Sequence, residues 1–212
     1  MTRRLIILGA GGHGTVAADC AEATGKYDSI AFLDALYPDE CLVGDWQILE
    51  KPENACIFNN GNTDFFAAIG NNIIRKKVLN ELLQDNLNVV SLIHPKSTVS
   101  RHATISYGVL VCANATINPM AKVGIGTIIN TAASIDHDCM IGDYAHISVG
   151  VRLAGNVVVG GNSFVGINSC VIQGVTIGKN CVLGAGATLI SDLPDNTTAV
   201  GTPAKVIKQH EI

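Results

Sequence analysis

Aromatic side chains are scarce, at 5% of residues with a single Trp. That suits an interior too narrow for large rings. Charge is also thin at 15%, and the 14 Lys and Arg are outnumbered by 18 Asp and Glu, for a net charge of −4. No basic excess is available to hold nucleic acid. No apolar run approaches the roughly 20 residues of a membrane span. The seven Cys are odd in number and include no CxxC pair. The opening MTRRLIILGAGGHG has an apolar run only from Leu5 to Leu8, so it reads as a strand entering a glycine turn rather than a leader. Reduced thiols in a cytoplasmic protein are the expectation. No Cys/His cluster calls for a metal.

What is present is a ladder. Stepping by six from Ile93 through Val99, Ile105 and Val111 to Leu189 meets an aliphatic residue at every one of 17 stops. The fifth residue of each hexad, from Ser97 to Ala187, is always Ser, Ala, Thr, Cys or Val. A helix cannot use this period, because 3.6 residues per turn would smear the anchors around its axis. A fixed short repeat means a solenoid. The small residue lies two before the next anchor, so both point to one face of a short strand. Cys139 and Cys181 fall in these small inward slots. Gly124, Gly142, Gly160, Gly166, Gly178 and Gly184 follow anchors, where the backbone is expected to turn.

Residues 1–92 have another texture, that of a small α/β domain. Strands are expected at 4–8, Ile30–Leu33 and Phe65–Ile69, with helices at Val16–Ala23 and Ile73–Leu83. Short strand pieces near Leu42–Val43 and Cys56–Phe58 interrupt a stretch that is otherwise mostly loop, and a strand at Asn88–Leu92 delivers the chain to the ladder. In the second helix Ile73, Ile74, Lys76 and Lys77 suggest one apolar and one basic face. Gly9-x-Gly11-x-x-Gly14 matches the dinucleotide fingerprint, with Asp34 20 residues beyond Gly14. The unit is about half a dinucleotide domain, so it suits one nucleotide, with backbone N–H groups near Thr15 facing a pyrophosphate. A tight strand–helix turn that binds nothing is the alternative.

The ladder resembles the hexapeptide repeat of left-handed parallel β-helix acyltransferases. That resemblance implies a triangular coil of three hexads, so that residues 18 apart stack. It also implies a left hand, a homotrimer, and acetyl-CoA in the clefts between prisms. With the glycine loop, the strand-end Asp34 and the string AIGNN-IRKK, the whole chain resembles bacterial nucleotide-sugar acetyltransferases of the PglD and sialic-acid O-acetyltransferase type. The fold expected is a small Rossmann-like domain at 1–92, then a left-handed β-helix with a C-terminal cap at 93–212.

The resemblance assigns Gly12, His13 and Gly14 to the phosphates, Asp34 to the base, and Gly70, Asn71 and Arg75 to the pocket wall. UDP-sugar members often carry two consecutive Asp at the strand end, whereas this chain has Asp34-Ala35. In the ladder it makes His137 the general base with Asp138 as partner. It puts Asn130 near the substrate amine and His146 near the thioester, with Ile167, Ala185, Pro203 and Lys205 along the CoA. The spacing puts Gly155 one coil above His137, where its N–H is a candidate oxyanion donor. The expected reaction is acetyl transfer to the amino group of a nucleotide-linked amino sugar, expected to be a UDP-4-amino-dideoxy sugar. Sugar O-acetylation and non-catalytic nucleotide-sugar binding are the alternatives.

Overall fold

The structure, a computed structural model, describes residues 3–210. It divides into two compact units, one ending at Pro95 and one beginning at Lys96.

The first unit is a five-stranded sheet with two helices. Its elements are β1 (Arg4–Leu8), α1 (Gly12–Thr24), β2 (Ser29–Leu33), β3 (Leu42–Val43), β4 (Trp46–Glu50), β5 (Thr63–Ala67) and α2 (Asn72–Gln84). The sheet order is β3-β4-β2-β1-β5, parallel except for the β3–β4 hairpin. β1 and β5 are almost wholly buried, consistent with continuous apolar runs covered on both faces.

Several expectations are corrected. β4 lies inside the expected loop. Cys56–Phe58 is the end of a 3-10 helix, Pro52–Phe58, started by a proline in its first turn. Asn88–Leu92 is not a continuous strand: Val89 bridges to Phe65, and a two-residue strand follows at Leu92–Ile93. Helix α1 starts at Gly12 rather than Val16. In α2, Ile73 and Ile74 are 61% and 51% exposed, while Arg75, Leu79 and Leu82 are buried. The spacing 75, 79, 82 is one helix face, so the inward stripe starts at an arginine.

The second unit is a left-handed parallel β-helix. Each hexad gives a two-residue strand ending on its anchor, and each strand pairs with the one 18 residues away, as in Ile117↔Ile135↔Leu153. Face 1 carries Val99, Ile117, Ile135, Leu153, Val171 and Leu189. Face 2 carries Ile105, Val123, Ile141, Val159 and Ile177. Face 3 carries Val111, Ile129, Ile147, Val165 and Leu183, and is extended by a hairpin of Thr197–Gly201 and Ala204–Gln209. Anchors from Val111 to Leu189 and the small partners from Val109 to Ala187 are buried, filling the prism in alternating large and small layers.

The corners are not where the glycines suggested. The left-handed residue sits three after the anchor, at Gly108, Asn114, Gly126, Asp138, Asn156 and their equivalents. Asn, Asp and Gly tolerate that conformation best. Glycines directly after anchors have another cause. A Cβ at Gly142 would lie 2.6 Å from the Gly161 nitrogen, so the next coil leaves it no room.

Candidate functional site

The first candidate lies at the carboxyl end of the sheet in the N-terminal unit, where β1, β2 and β5 end side by side. Such crevices hold ligands in open α/β sheets. Gly9 has φ +102°, and a Cβ there would lie 2.7 Å from Ile69 Cδ1. A Cβ at Gly14 would lie 2.0 Å from the Gly9 carbonyl oxygen, so this glycine packs helix against strand. Gly11 caps α1 without a side-chain bond, and a Cβ at Gly11, Gly12 or Gly70 would point into open space. The first-turn amides are thus approachable by an anion at the positive end of the helix.

Asp34 faces this loop. Its Oδ2 accepts from the Ala10 N–H at 2.7 Å and its Oδ1 from the Leu36 N–H at 3.0 Å. It therefore braces the glycine turn. Asn71 is the N-cap of α2, its Oδ1 accepting from the Ile73 and Ile74 N–H groups. Arg75 is 1% exposed and donates to the Ile69 and Gly70 carbonyls and to Asn72 Oδ1. It holds the loop after β5 from beneath instead of lining an open wall. Burial, then the Arg75 charge, lowers the pKa of His13 to about 4, so its imidazole is neutral at neutral pH.

The second candidate is the corner between faces 1 and 2. Asp136, His137 and Asp138 follow the anchor Ile135, and Asp138 takes the left-handed conformation at φ +59°. That turn folds its side chain back: Asp138 Oδ2 lies 2.8 Å from His137 Nδ1. With Nδ1 engaged, Nε2 is the ring nitrogen left to accept a proton. The Asp138 hydrogen bond, then the Asp136 charge, raises the His137 pKa. Gly155 stacks on this ring; a Cβ there would lie 2.6 Å from both His137 Cε1 and Nε2. The main chain joins the coils, the Asn156 N–H donating to the His137 carbonyl at 2.9 Å.

The third cluster is on another corner, between faces 3 and 1. His146 points outward from face 3 yet is only 8% exposed, with Phe164 edge-on at 5.1 Å. The Thr131 N–H donates to Asn130 Oδ1 at 2.8 Å, which turns Asn130 Nδ2 toward His146 Nε2 at 3.2 Å. An amide nitrogen only donates, so this contact calls for a neutral imidazole accepting at Nε2. Ile167 and Ala185 are exposed further along this edge, 18 residues apart. Thr202 Oγ1, in the turn carrying Pro203 and leading to Lys205, donates to the Gly186 carbonyl at 3.4 Å. The expected residues thus gather in three places, and within one chain His137 is not on the edge that carries Asn130 and His146. The Asn118–Asp136 bond beside His137 went unnoticed in the sequence, although its 18-residue spacing was the available signal.

Comparison with known proteins follows this division. Residues 4–82 match the PglD N-terminal domain, 132–165 the hexapeptide repeat of succinyl-transferase, and 156–191 the bacterial transferase hexapeptide. The acetyltransferase domain of PglB from Neisseria gonorrhoeae FA1090, solved with acetyl coenzyme A, is 36% identical. It superposes with a TM-score of 0.94 over 98% of this chain and 100% of that one. The chain belongs to the PglD-type hexapeptide acyltransferase family. Another solved member is PerB from Caulobacter crescentus in complex with CoA and GDP-perosamine, 35% identical at a TM-score of 0.89. That match covers 96% of this chain and 97% of PerB. A curated relative, GDP-perosamine N-acetyltransferase of Escherichia coli O157:H7, is 32% identical over 79 residues. The matched segment is 37% of this chain and about a third (36%) of that relative's length. Among the described residues no helix is long and apolar enough to cross a membrane.

Proposed function

We propose that this PglD-type chain transfers the acetyl group of acetyl-CoA to the amino group of a nucleotide-linked amino sugar. The observation that carries the reading is the His137 corner: an exposed imidazole with Asp138 on Nδ1, Nε2 left to accept a proton, and a glycine stacked on the ring. The amine nitrogen attacks the thioester carbonyl carbon while Nε2 of His137 takes its proton. The C–S bond then breaks, and the CoA thiolate leaves with the proton returned from the imidazolium. Asp138 keeps the ring oriented and steadies its charged form. The Gly155 N–H is assigned as a donor to the oxyanion. No covalent intermediate is needed, because direct attack requires only proximity and a base.

Asn130 and His146 are assigned to the amine and the thioester, and Ile167, Ala185, Pro203 and Lys205 to the rest of the CoA. Their separation from His137 within one chain supports a homotrimer in which each site draws on two copies. The N-terminal unit is assigned the nucleotide sugar, with Gly12 and His13 at the phosphates and Asp34 both bracing the loop and approaching the base. Asn71 and Arg75 shape the loop around Gly70. A 4-amino-dideoxy sugar is the finer substrate reading. Ala35 in place of a second Asp, together with relatives that bind or act on GDP-perosamine, supports GDP as the carrier over the UDP expected from the sequence.

A thermal-shift screen of GDP, UDP, CDP and dTDP, each with and without acetyl-CoA, tests both ligand classes. Stabilisation by one nucleoside diphosphate and separately by acetyl-CoA is expected. No response to acetyl-CoA would overturn the reading; a response to UDP alone would restore the uridine carrier.

A further inference from the structure

Asp136 has no part in the reaction just described, yet it is bonded both to the base and to the neighbouring coil. Its Oδ1 accepts from the His137 N–H at 2.8 Å and from Asn118 Nδ2 at 2.8 Å. Asn118 is the residue 18 positions earlier, one coil below, so the carboxylate is gripped from its own corner and from the neighbouring coil. His137 is thus flanked by two carboxylates, Asp138 bound through the ring and Asp136 through the main chain. The coil below presents Asn118 and Pro119 to this corner, and the coil above presents Ala154 and Gly155. None of the four is ionisable, and Arg152, which lines the same groove as Asp136, turns its guanidinium to the Ala132 and Val151 carbonyls, so Asp136 and Asp138 supply the charge that His137 faces here. Asn118 and the His137 N–H hold the Asp136 carboxyl below the usual carboxylate range, so it stays ionised wherever a histidine can act as a base.

We propose that Asp136 is a positioning residue for His137. Clamped by Asn118, it fixes the backbone from which the imidazole projects and holds a negative charge beside the imidazolium formed during transfer. This rests on His137 being the base. The alternative is a carboxylate that merely closes the turn, for which any acceptor would serve. Asp136→Asn separates the two, because an amide oxygen can still accept the His137 N–H while the charge is gone.

The direct test is an NMR titration of the His137 Cε1–H resonance in the full chain without substrate, the signal being assigned by its loss in His137→Gln. His137 should titrate at lower pH in Asp136→Asn than in the wild type. Asp136→Glu, which restores charge on a longer arm, should bring the titration back toward the wild-type value. Steady-state rates give the second readout. In Asp136→Asn, kcat should fall by well under the about 10²–10⁴-fold that a general base contributes. KM for both substrates should hold, and the acid limb of kcat should move to lower pH. Asp136→Ala, which also removes the acceptor, should lose more. An unchanged His137 titration in folded Asp136→Asn would overturn the proposal. So would a lowered titration in Asp136→Glu equal to that in Asp136→Asn. The NMR measurement needs no turnover, so its failure is distinct from a failure of the acetyl-transfer reading.

Discussion

Replacing Gly155 by Ala should disable the base without unfolding the protein. Gly155 does not require a left-handed backbone, so Ala can adopt its conformation. Its methyl carbon, however, would lie 2.6 Å from His137 Cε1 and Nε2 and 3.2 Å from Nδ1. Ordinary carbon contacts begin near 3.5 Å, so the ring must withdraw by about 1 Å. Gly155 itself is buried, but the group that must give way is the exposed imidazole, which can swing outward, so the cost in stability should be modest, about 1 kcal/mol. The swing would strain or break the 2.8 Å contact to Asp138 and take Nε2 out of line. A misplacement of about 1 Å can cost about 10²-fold in rate. The assay is steady-state CoA release with acetyl-CoA and the nucleotide sugar, run beside thermal unfolding. The expected result is kcat down by about 10² with an unfolding midpoint close to wild type. A Gly155→Ala enzyme with wild-type kcat would refute the placement of the base under this glycine.

Other outcomes follow from the same structure. Gly14→Ala puts a methyl 2.0 Å from the Gly9 carbonyl oxygen, so it should lower the stability of the N-terminal unit and weaken nucleotide binding while leaving acetyl-CoA binding intact; calorimetry reads both. His13 has a folded pKa of about 4, below its ordinary 6.5. Its contribution, at most roughly 3 kcal/mol, is therefore complete above pH 6.5 and lost as pH falls toward 4, and His13→Gln should flatten that part of the stability–pH curve. Ile135→Ala, in the buried stack of face 1, should cost about 2–5 kcal/mol by urea unfolding.

The parts of this molecule that repeat were legible in the sequence, and the parts that depend on neighbours in space were less so. A six-residue period fixes which residues point inward and which stack, so the ladder from Val99 to Leu189 needed no tertiary knowledge. Glycine misleads about the turn position because it has two uses here. At Gly108 and Gly126 it supplies a left-handed corner, whereas at Gly142 it makes room for the next coil. Met120, Ala132 and Tyr144 hide the corner signal further, since such side chains seldom take that conformation. In the first unit no repeat averages out local ambiguity. The segment Cys56 to Phe58 reads as a strand, yet it follows Pro52 into a 3-10 helix, and Arg75 is buried where Ile73 and Ile74 suggest the apolar face. Asp138 beside His137 was legible only as adjacency; the left-handed turn is what closes the 2.8 Å contact.

In the mechanism proposed above, His137 drives acetyl transfer to a sugar amine. It is tested most directly by mass spectrometry of the product formed from acetyl-CoA and GDP- or UDP-linked 4-amino-dideoxy sugars, with the wild type and His137→Ala compared at equal folded concentration. The expected product gains one acetyl group on the amine with the wild type, at a rate about 10²–10⁴-fold lower with His137→Ala. The wild-type rate should also fall as pH drops through the raised His137 pKa, because a protonated ring cannot accept the amine proton. Acetyl transfer by His137→Ala at the wild-type rate, or a product acetylated on a hydroxyl, would contradict it.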